Sequence, residues 1–179
     1  MTAETRDLAA LIADVPDFPK VGVSFKDITP LLSSPEAFQA CVDALVAASP
    51  TDIDVVCGME ARGFIFGAPV ALAMGASFVP VRKSGKLPRD TVETTYDLEY
   101  GTQTLAIHSD AIKEGDRVLI VDDVLATGGT VAATADLVRR LGGSLVAVSV
   151  VMELAYLEPR EVLGRHRIDD VTALVTYSE

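Results

Sequence analysis

The chain has 179 residues, enough for one domain with a substantial core, and 49% of them are apolar, which argues against a disordered polypeptide. Fifteen basic residues against 26 acidic ones leave a formal net charge of -11, which argues against a general nucleic-acid or membrane surface; an anionic ligand must be met by local cations and N–H groups. The N-terminus, interrupted by Glu4 and Asp7, lacks a secretory signal pattern, no apolar run reaches the roughly 18 residues of a membrane span, and Cys41 and Cys57 have no metal-ligand spacing, so the expectation is a cytoplasmic protein with buried reduced thiols.

In chain order, Arg6 to Val15 carries Leu8, Leu11, Ile12 and Val15 at helical spacing and predicts a packed helix ended by Pro16 and Pro19. Pro16 to Leu32 is rich in turn formers yet holds Phe18, Phe25 and Ile28; an apolar loop of that length covers something, with Phe18 read as a core anchor. Ser34 before Pro35 predicts an N-capped helix to about Ala48, with Phe38, Cys41, Val42, Leu45 and Val46 as its core stripe. Asp54 to Gly58 reads as a short buried strand running into Glu60, Ala61 and Arg62, and a helix of small and apolar residues follows over Phe66 to Met74. Two readings of Glu60 and Arg62 stand here: a structural ion pair, or an anion-binding loop at the C-terminal end of a parallel strand.

Phe78 to Val81 is a strand that leads straight into Arg82, Lys83, Lys86 and Arg89, the dense basic cluster of an acidic chain, either a phosphate neutraliser or a solubilising hairpin. Thr91 to Gly101 is polar and threonine-rich and reads as a mobile β-ribbon, suited to a lid that excludes water. Thr104 to His108 predicts a partly exposed strand, and His108 and His166 take ordinary structural or surface roles. Val118 to Val121 is an apolar run that stops at Asp122 and Asp123, then passes through Ala126, Thr127, Gly128, Gly129 and Thr130 into a helix over Val131 to Leu141, with Gly142 and Gly143 as its stop. Such a turn presents backbone N–H groups, hydroxyls and a helix N-terminus to one point, the requirement for holding a phosphate monoester. The two carboxylates beside it can accept from a ribose diol or face hydrated Mg²⁺. A dinucleotide fold lacks its GxGxxG here, and a P-loop lacks its Gly-Lys-Ser/Thr. Leu145 to Met152 is a strand buried on both faces, with Glu153 at its end and outside the assigned site, and Val171 to Tyr177 is the last strand.

The stretch VLIVDDVLATGGT, Val118 to Thr130, resembles the phosphoribosyl-pyrophosphate (PRPP) motif of the type I phosphoribosyltransferases. The likeness covers nearly the whole chain; the Phe18 to Pro30 segment points to the members that use adenine, and the retained Leu98 to Gly101 lid to an enzyme rather than a sensor. It implies a single domain over residues 1–179 with the type I phosphoribosyltransferase fold. This is an α/β architecture with a mostly parallel twisted sheet and helices on both faces, plus a small N-terminal hood at about 16–32 and a flexible lid at about 83–101. The same resemblance implies that Phe25 stacks on adenine while backbone groups at Ser24 and Lys26 read its edge. Asp122 and Asp123 then hold the ribose, and Ala126, Thr127, Gly128, Gly129 and Thr130 the 5′-phosphate.

The resemblance further assigns Glu60, Ala61, Arg62, Arg82, Lys83 and Lys86 to pyrophosphate, the first loop through a non-prolyl cis peptide and part of the contact across a homodimer interface. Glu99 becomes the general acid or base, beside Tyr100 in the lid, with Glu93 as the internal competitor. Mg²⁺ shares the diphosphate charge without direct protein ligation. The implied reaction is transfer of the 5-phosphoribosyl group from PRPP to N9 of adenine, giving AMP and pyrophosphate in purine salvage. Two alternatives are another phosphoribosyltransferase with a different base, and a PRPP-sensing regulator without turnover; the acidic charge and the lack of an added DNA-binding segment stand against the second.

Overall fold

A computed structural model describes residues 8–97 and 101–179. A short antiparallel pair, β1 (Ala13–Val15) and β2 (Phe25–Asp27), stands apart from the main sheet. Among the described residues that main sheet has seven strands: β3 (Val55–Met59), β4 (Ser77–Lys83), β5 (Thr91–Asp97), β6 (Thr102–His108), β7 (Arg117–Leu125), β8 (Ser144–Leu154) and β9 (Val171–Tyr177). Their spatial order is β5-β6-β4-β3-β7-β8-β9. From β4 to β9 all neighbours run parallel, and β6 is antiparallel to both β4 and β5. Every residue of β3 is buried, as a central strand covered on both faces requires.

Helices supply those covers. After α1 (Thr29–Leu32) come α2 (Pro35–Ala48), α3 (Gly63–Met74), α4 (Gly129–Arg140) and α5 (Pro159–Arg165). The Ser34 hydroxyl accepts from the Ala37 N–H at 3.2 Å and caps α2 as its sequence predicts. Along β7 the pleat divides the core: Val118 and Ile120 pack toward Leu137 and Val138 of α4 and Leu163 of α5, while Leu119 and Val121 pack toward Leu45 of α2 and Phe66 and Val70 of α3. Cys41 and Cys57 are free and buried on opposite faces, and burial pushes both thiols up to about 12. Among the described residues no helix is long and apolar enough to cross a membrane.

Four local expectations change. Ala13 to Val15 is strand rather than helix, because Val15 pairs with Phe25 in β2, a partner that local periodicity does not reveal. Phe18 is 51% exposed and therefore no core anchor; its ring meets Phe25 edge-on at 5.2 Å. Leu105, Ala106 and Ile107 are all buried, since β6 lies between β5 and β4 instead of at an open edge. Thr91 to Asp97 is the outer strand of the main sheet and no separate ribbon: Thr94 donates to Asp136 of α4 at 3.0 Å, and Arg140 donates to the Glu93 carbonyl at 2.6 Å. Leu98, Glu99 and Tyr100 lie outside the described residues.

The approach of α3 to the sheet depends on glycine. A Cβ at Gly58 would stand 2.7 Å from the Phe78 ring and 3.0 Å from the Gly63 carbonyl oxygen, and one at Gly67 would stand 2.9 Å from the same ring. Gly58→Ala is therefore expected to destabilise the fold by about 1–3 kcal/mol, the usual cost of overpacking, read as a lower midpoint in urea unfolding at unchanged slope.

Candidate active site

The site is built beyond the C-terminal end of β3, where its parallel neighbour β7 runs on past it. β7 does not stop at the acidic pair. It runs through Asp122, level with Val150 of β8, and on to Leu125, so both carboxylates project from regular strand. The chain then turns through Ala126, Thr127 and Gly128, the last with φ +84°, a conformation that favours glycine. A side chain at Gly128 would also press on the Pro159 carbonyl at 3.0 Å. No side chain caps α4, and the first intrahelical bond is Ala132 N–H to Gly128, so the amides of Gly129, Thr130 and Val131 have no helical acceptor. Thr127, Gly128, Thr130 and Val131 line a cleft of about 190 Å³ to which Glu60, Ala61 and Arg62 also contribute. The Glu60–Ala61 peptide bond is cis, as the resemblance implies.

The alternative of a Glu60 to Arg62 ion pair is overturned, because each residue has another partner. Arg62 Nε lies 2.9 Å from Asp123 Oδ2, and Glu60 takes Arg82 through Nε and Nη2, both at 3.1 Å. Glu60 also accepts from the Lys83 amide at 3.3 Å, and Arg82 gives its remaining arm to the Lys86 carbonyl at 2.8 Å. Arg82 holds the Glu60 carboxyl below its ordinary range. Arg89 is taken by Asp110, which leaves Lys83 and Lys86 as exposed cations at the end of β4.

Asp123 is 2% exposed, and although Arg62 is close, its N–H is not aligned on Oδ2, which accepts no hydrogen bond. Asp122 Oδ1 accepts from the Asp123 amide at 2.9 Å. Desolvation raises both carboxyls; for Asp122 the neighbouring Asp123 charge raises it further, and for Asp123 the Arg62 charge pulls back. A buried acceptor facing the cleft and a desolvated acid beside it suit a ligand that donates hydrogen bonds.

A second cavity of about 610 Å³ adjoins the first and shares Arg62, Val124, Ala126 and Thr127 with it. Phe25, Val124, Leu154, Tyr156 and Leu157 make it apolar, and the Arg62 guanidinium lies 5.1 Å from the centre of the Phe25 ring. Ser24 and Lys26 stand on its rim with their side chains drawn to Asp14: Ser24 donates at 2.9 Å, and Lys26 pairs with the same carboxylate while sitting 4.1 Å from the Tyr177 ring centre. Sequence reasoning missed Val124, Leu154, Tyr156 and Leu157. The available signal was Tyr156-Leu157, two large apolar residues left exposed after the longest strand. Glu153 is buried and held by Arg160 through two 2.8 Å bonds, turned into a separate cavity.

The acidic pair gives the fold a pH signature. Carboxyls with raised native pKa values keep their protons more tightly folded than unfolded, so their contribution is intact below the ordinary 3.8 and is lost as pH climbs through the raised values. Asp122→Asn removes that loss and keeps the acceptor for the Asp123 amide. The substitution is expected to raise the melting temperature at pH 7 by about 2–4 °C, on the order of 1 kcal/mol, with the advantage shrinking toward pH 4 in a thermal-melt series.

Comparison with known proteins matches this chain to a family. A model of the phosphoribosyl transferase domain fits residues 29–171. An adenine phosphoribosyltransferase of Cutibacterium acnes is 57% identical over 176 residues, 98% of this chain and 99% of the relative. The crystal structure of adenine phosphoribosyltransferase from Thermoanaerobacter pseudethanolicus superposes with a TM-score of 0.92 at 46% identity, covering 97% of this chain and 99% of that one. An APRTase of Giardia lamblia complexed with 9-deazaadenine gives 0.92 at 36% identity over 99% of this chain and 100% of its own. The fold, the PRPP motif and these likenesses agree, and the chain belongs to the adenine phosphoribosyltransferases of the phosphoribosyl transferase domain family.

Proposed function

We propose that this chain transfers the 5-phosphoribosyl group of PRPP to N9 of adenine, releasing pyrophosphate and leaving AMP. One observation carries the reading: a cleft at the N-terminus of α4 and a larger, mostly apolar cavity adjoin each other and share Arg62, Val124, Ala126 and Thr127. A phosphate monoester and a flat base joined by one ribose fit that shape, with the ribose against Asp122 and Asp123.

In this reading Ala126 to Thr130 hold the 5′-phosphate, and Asp123 Oδ2 accepts from a ribose hydroxyl. Phe25 covers one face of adenine and the Ser24 and Lys26 backbone meets its edge. Arg62 reaches the leaving diphosphate together with Glu60 and Ala61 at the loop, and with Arg82, Lys83 and Lys86. The bond from C1 of the ribose to the pyrophosphate oxygen breaks as the bond from C1 to N9 forms. Positive charge therefore develops on the ribose and negative charge on the diphosphate, and these residues position the one and neutralise the other. Glu99 takes the N9 proton as the new bond closes, with Tyr100 beside it. Residues 16–32 act as the hood and 83–101 as the lid.

Among the described residues no three metal-ligating side chains converge, while Asp122 and Asp123 both line the cleft. That donor set fits Mg²⁺ held on substrate oxygens, with the two aspartates oriented toward it. When bound, the ion would share the diphosphate charge. A homodimer in the cytoplasm completes the proposal, part of the basic cluster reaching the partner's site.

The test is incubation with PRPP and Mg²⁺ beside adenine, hypoxanthine, guanine and orotate in separate reactions, with Glu99→Gln in parallel. AMP from adenine alone is expected, slowed by about a hundredfold or more in the variant. Equal rates in the variant would remove Glu99 as the acid or base. Binding of PRPP without turnover of any base would overturn the enzymatic reading in favour of a PRPP sensor.

A further inference from the structure

A chain of three polar side chains leads away from the phosphate cradle. The Tyr96 hydroxyl lies 2.9 Å from Thr130 Oγ1 and donates to Gln103 Oε1 at 3.1 Å. Tyr96 and Gln103 face each other across β5 and β6, so the sheet fixes their separation. The Tyr96 ring rests on the first turn of α4, where a Cβ at Gly129 would come within 3.1 Å of it. Thr130 lines the anion cleft, whereas Tyr96 and Gln103 do not touch it.

The tyrosine has one proton to give. With that proton on Gln103 Oε1, Thr130 must donate to Tyr96, and the hydroxyl offers the cleft its lone pairs, which repel an anion. A half-turn of the Gln103 amide reverses the chain. The amide nitrogen then donates to Tyr96, Tyr96 donates to Thr130, and the Thr130 proton is free for a phosphate oxygen. We infer that Gln103 and Tyr96 are positioning residues that set the direction of the Thr130 hydroxyl and so tune the cradle for the 5′-phosphate. This rests on the PRPP reading and adds to it a relay outside the cleft.

Replacing the amide by an acceptor locks the relay in its repelling direction. Titration calorimetry of the full chain with ribose 5-phosphate, and separately with pyrophosphate, tests this. Gln103→Glu is expected to weaken ribose 5-phosphate binding by about tenfold, the worth of one charge-assisted hydrogen bond, and to leave pyrophosphate binding within about twofold. Adding Tyr96→Phe to that variant cuts the relay, frees Thr130 to rotate and is expected to restore most of the lost affinity. A simple charge effect from the new carboxylate would persist in the double variant, and that result overturns the relay. Unchanged ribose 5-phosphate binding in Gln103→Glu overturns it as well. A wild-type chain that binds no ribose 5-phosphate overturns the PRPP reading along with it. Should Gln103→Glu fail to fold, Tyr96→Phe alone decides. A loss of about two- to threefold for ribose 5-phosphate alone supports the relay, and an equal loss for both ligands, or none, overturns it.

Discussion

The ion pair between Arg62 and Asp123 is the constraint on which the site depends. Asp123 belongs to β7 and is almost wholly enclosed, while Arg62 sits at the N-terminus of α3 just after the neighbouring strand and keeps over a third of its side chain in solvent. Without the cation a carboxylate in that position would be close to untenable. The same guanidinium lies against Phe25 of the hood. One side chain thus ties together β7, the β3–α3 loop and the N-terminal hairpin, and it stands between the anion cleft and the apolar cavity. Its alignment is incomplete, since the Asp123 oxygen beside it accepts no hydrogen bond. The pair holds the architecture together while leaving capacity for a third group.

A protein with net charge -11 that handles polyanions must keep its cations from being spent on its own carboxylates. Here the pairing is selective. Arg82 is fixed at the loop end by Glu60 and the Lys86 carbonyl, and Arg89 is taken by Asp110 away from that loop. Lys83 and Lys86 stay at the surface. Main-chain amides at the start of α4, which carry no net charge and have no competing acceptor, do the remaining work.

The layered fold was legible because its signals are local. A serine cap before Pro35, unbroken apolar runs in β3 and β7, and glycines after the acidic pair each specify their element without reference to distant parts. The candidate site was legible through the motif, since Asp122 to Thr130 are contiguous and their chemistry is compact. What escaped depends on partners far away in sequence. Ala13 to Val15 looks helical until Phe25 to Asp27 pairs with it, and Thr91 to Asp97 looks like a free ribbon until α4 receives it. Phe18 reads as core because a large aromatic among turn formers has no other local explanation; its place on the Phe25 ring is a tertiary fact. The far wall of the apolar cavity, Tyr156 and Leu157, sits after a strand whose own pattern says only that it is buried.

The strand order carries a consequence for how the molecule comes to exist. β3 and β7 lie side by side, yet Asp54 and Arg117, which bond at the start of that pair, are 63 positions apart, and β4, β5 and β6 are threaded between them in the chain. Contacts of such long reach form late and slowly, because the entropy of closing the intervening chain is spent before the pairing returns anything. During synthesis the first 110 or so residues emerge with the apolar edge of β3 uncovered, since its partner has not been made. Arg62 precedes Asp123 by a comparable stretch of chain and waits without its carboxylate. The cleft between Arg62 and Asp123 is therefore one of the last features to form, and the nascent chain's exposed strand edge is its point of greatest vulnerability to aggregation.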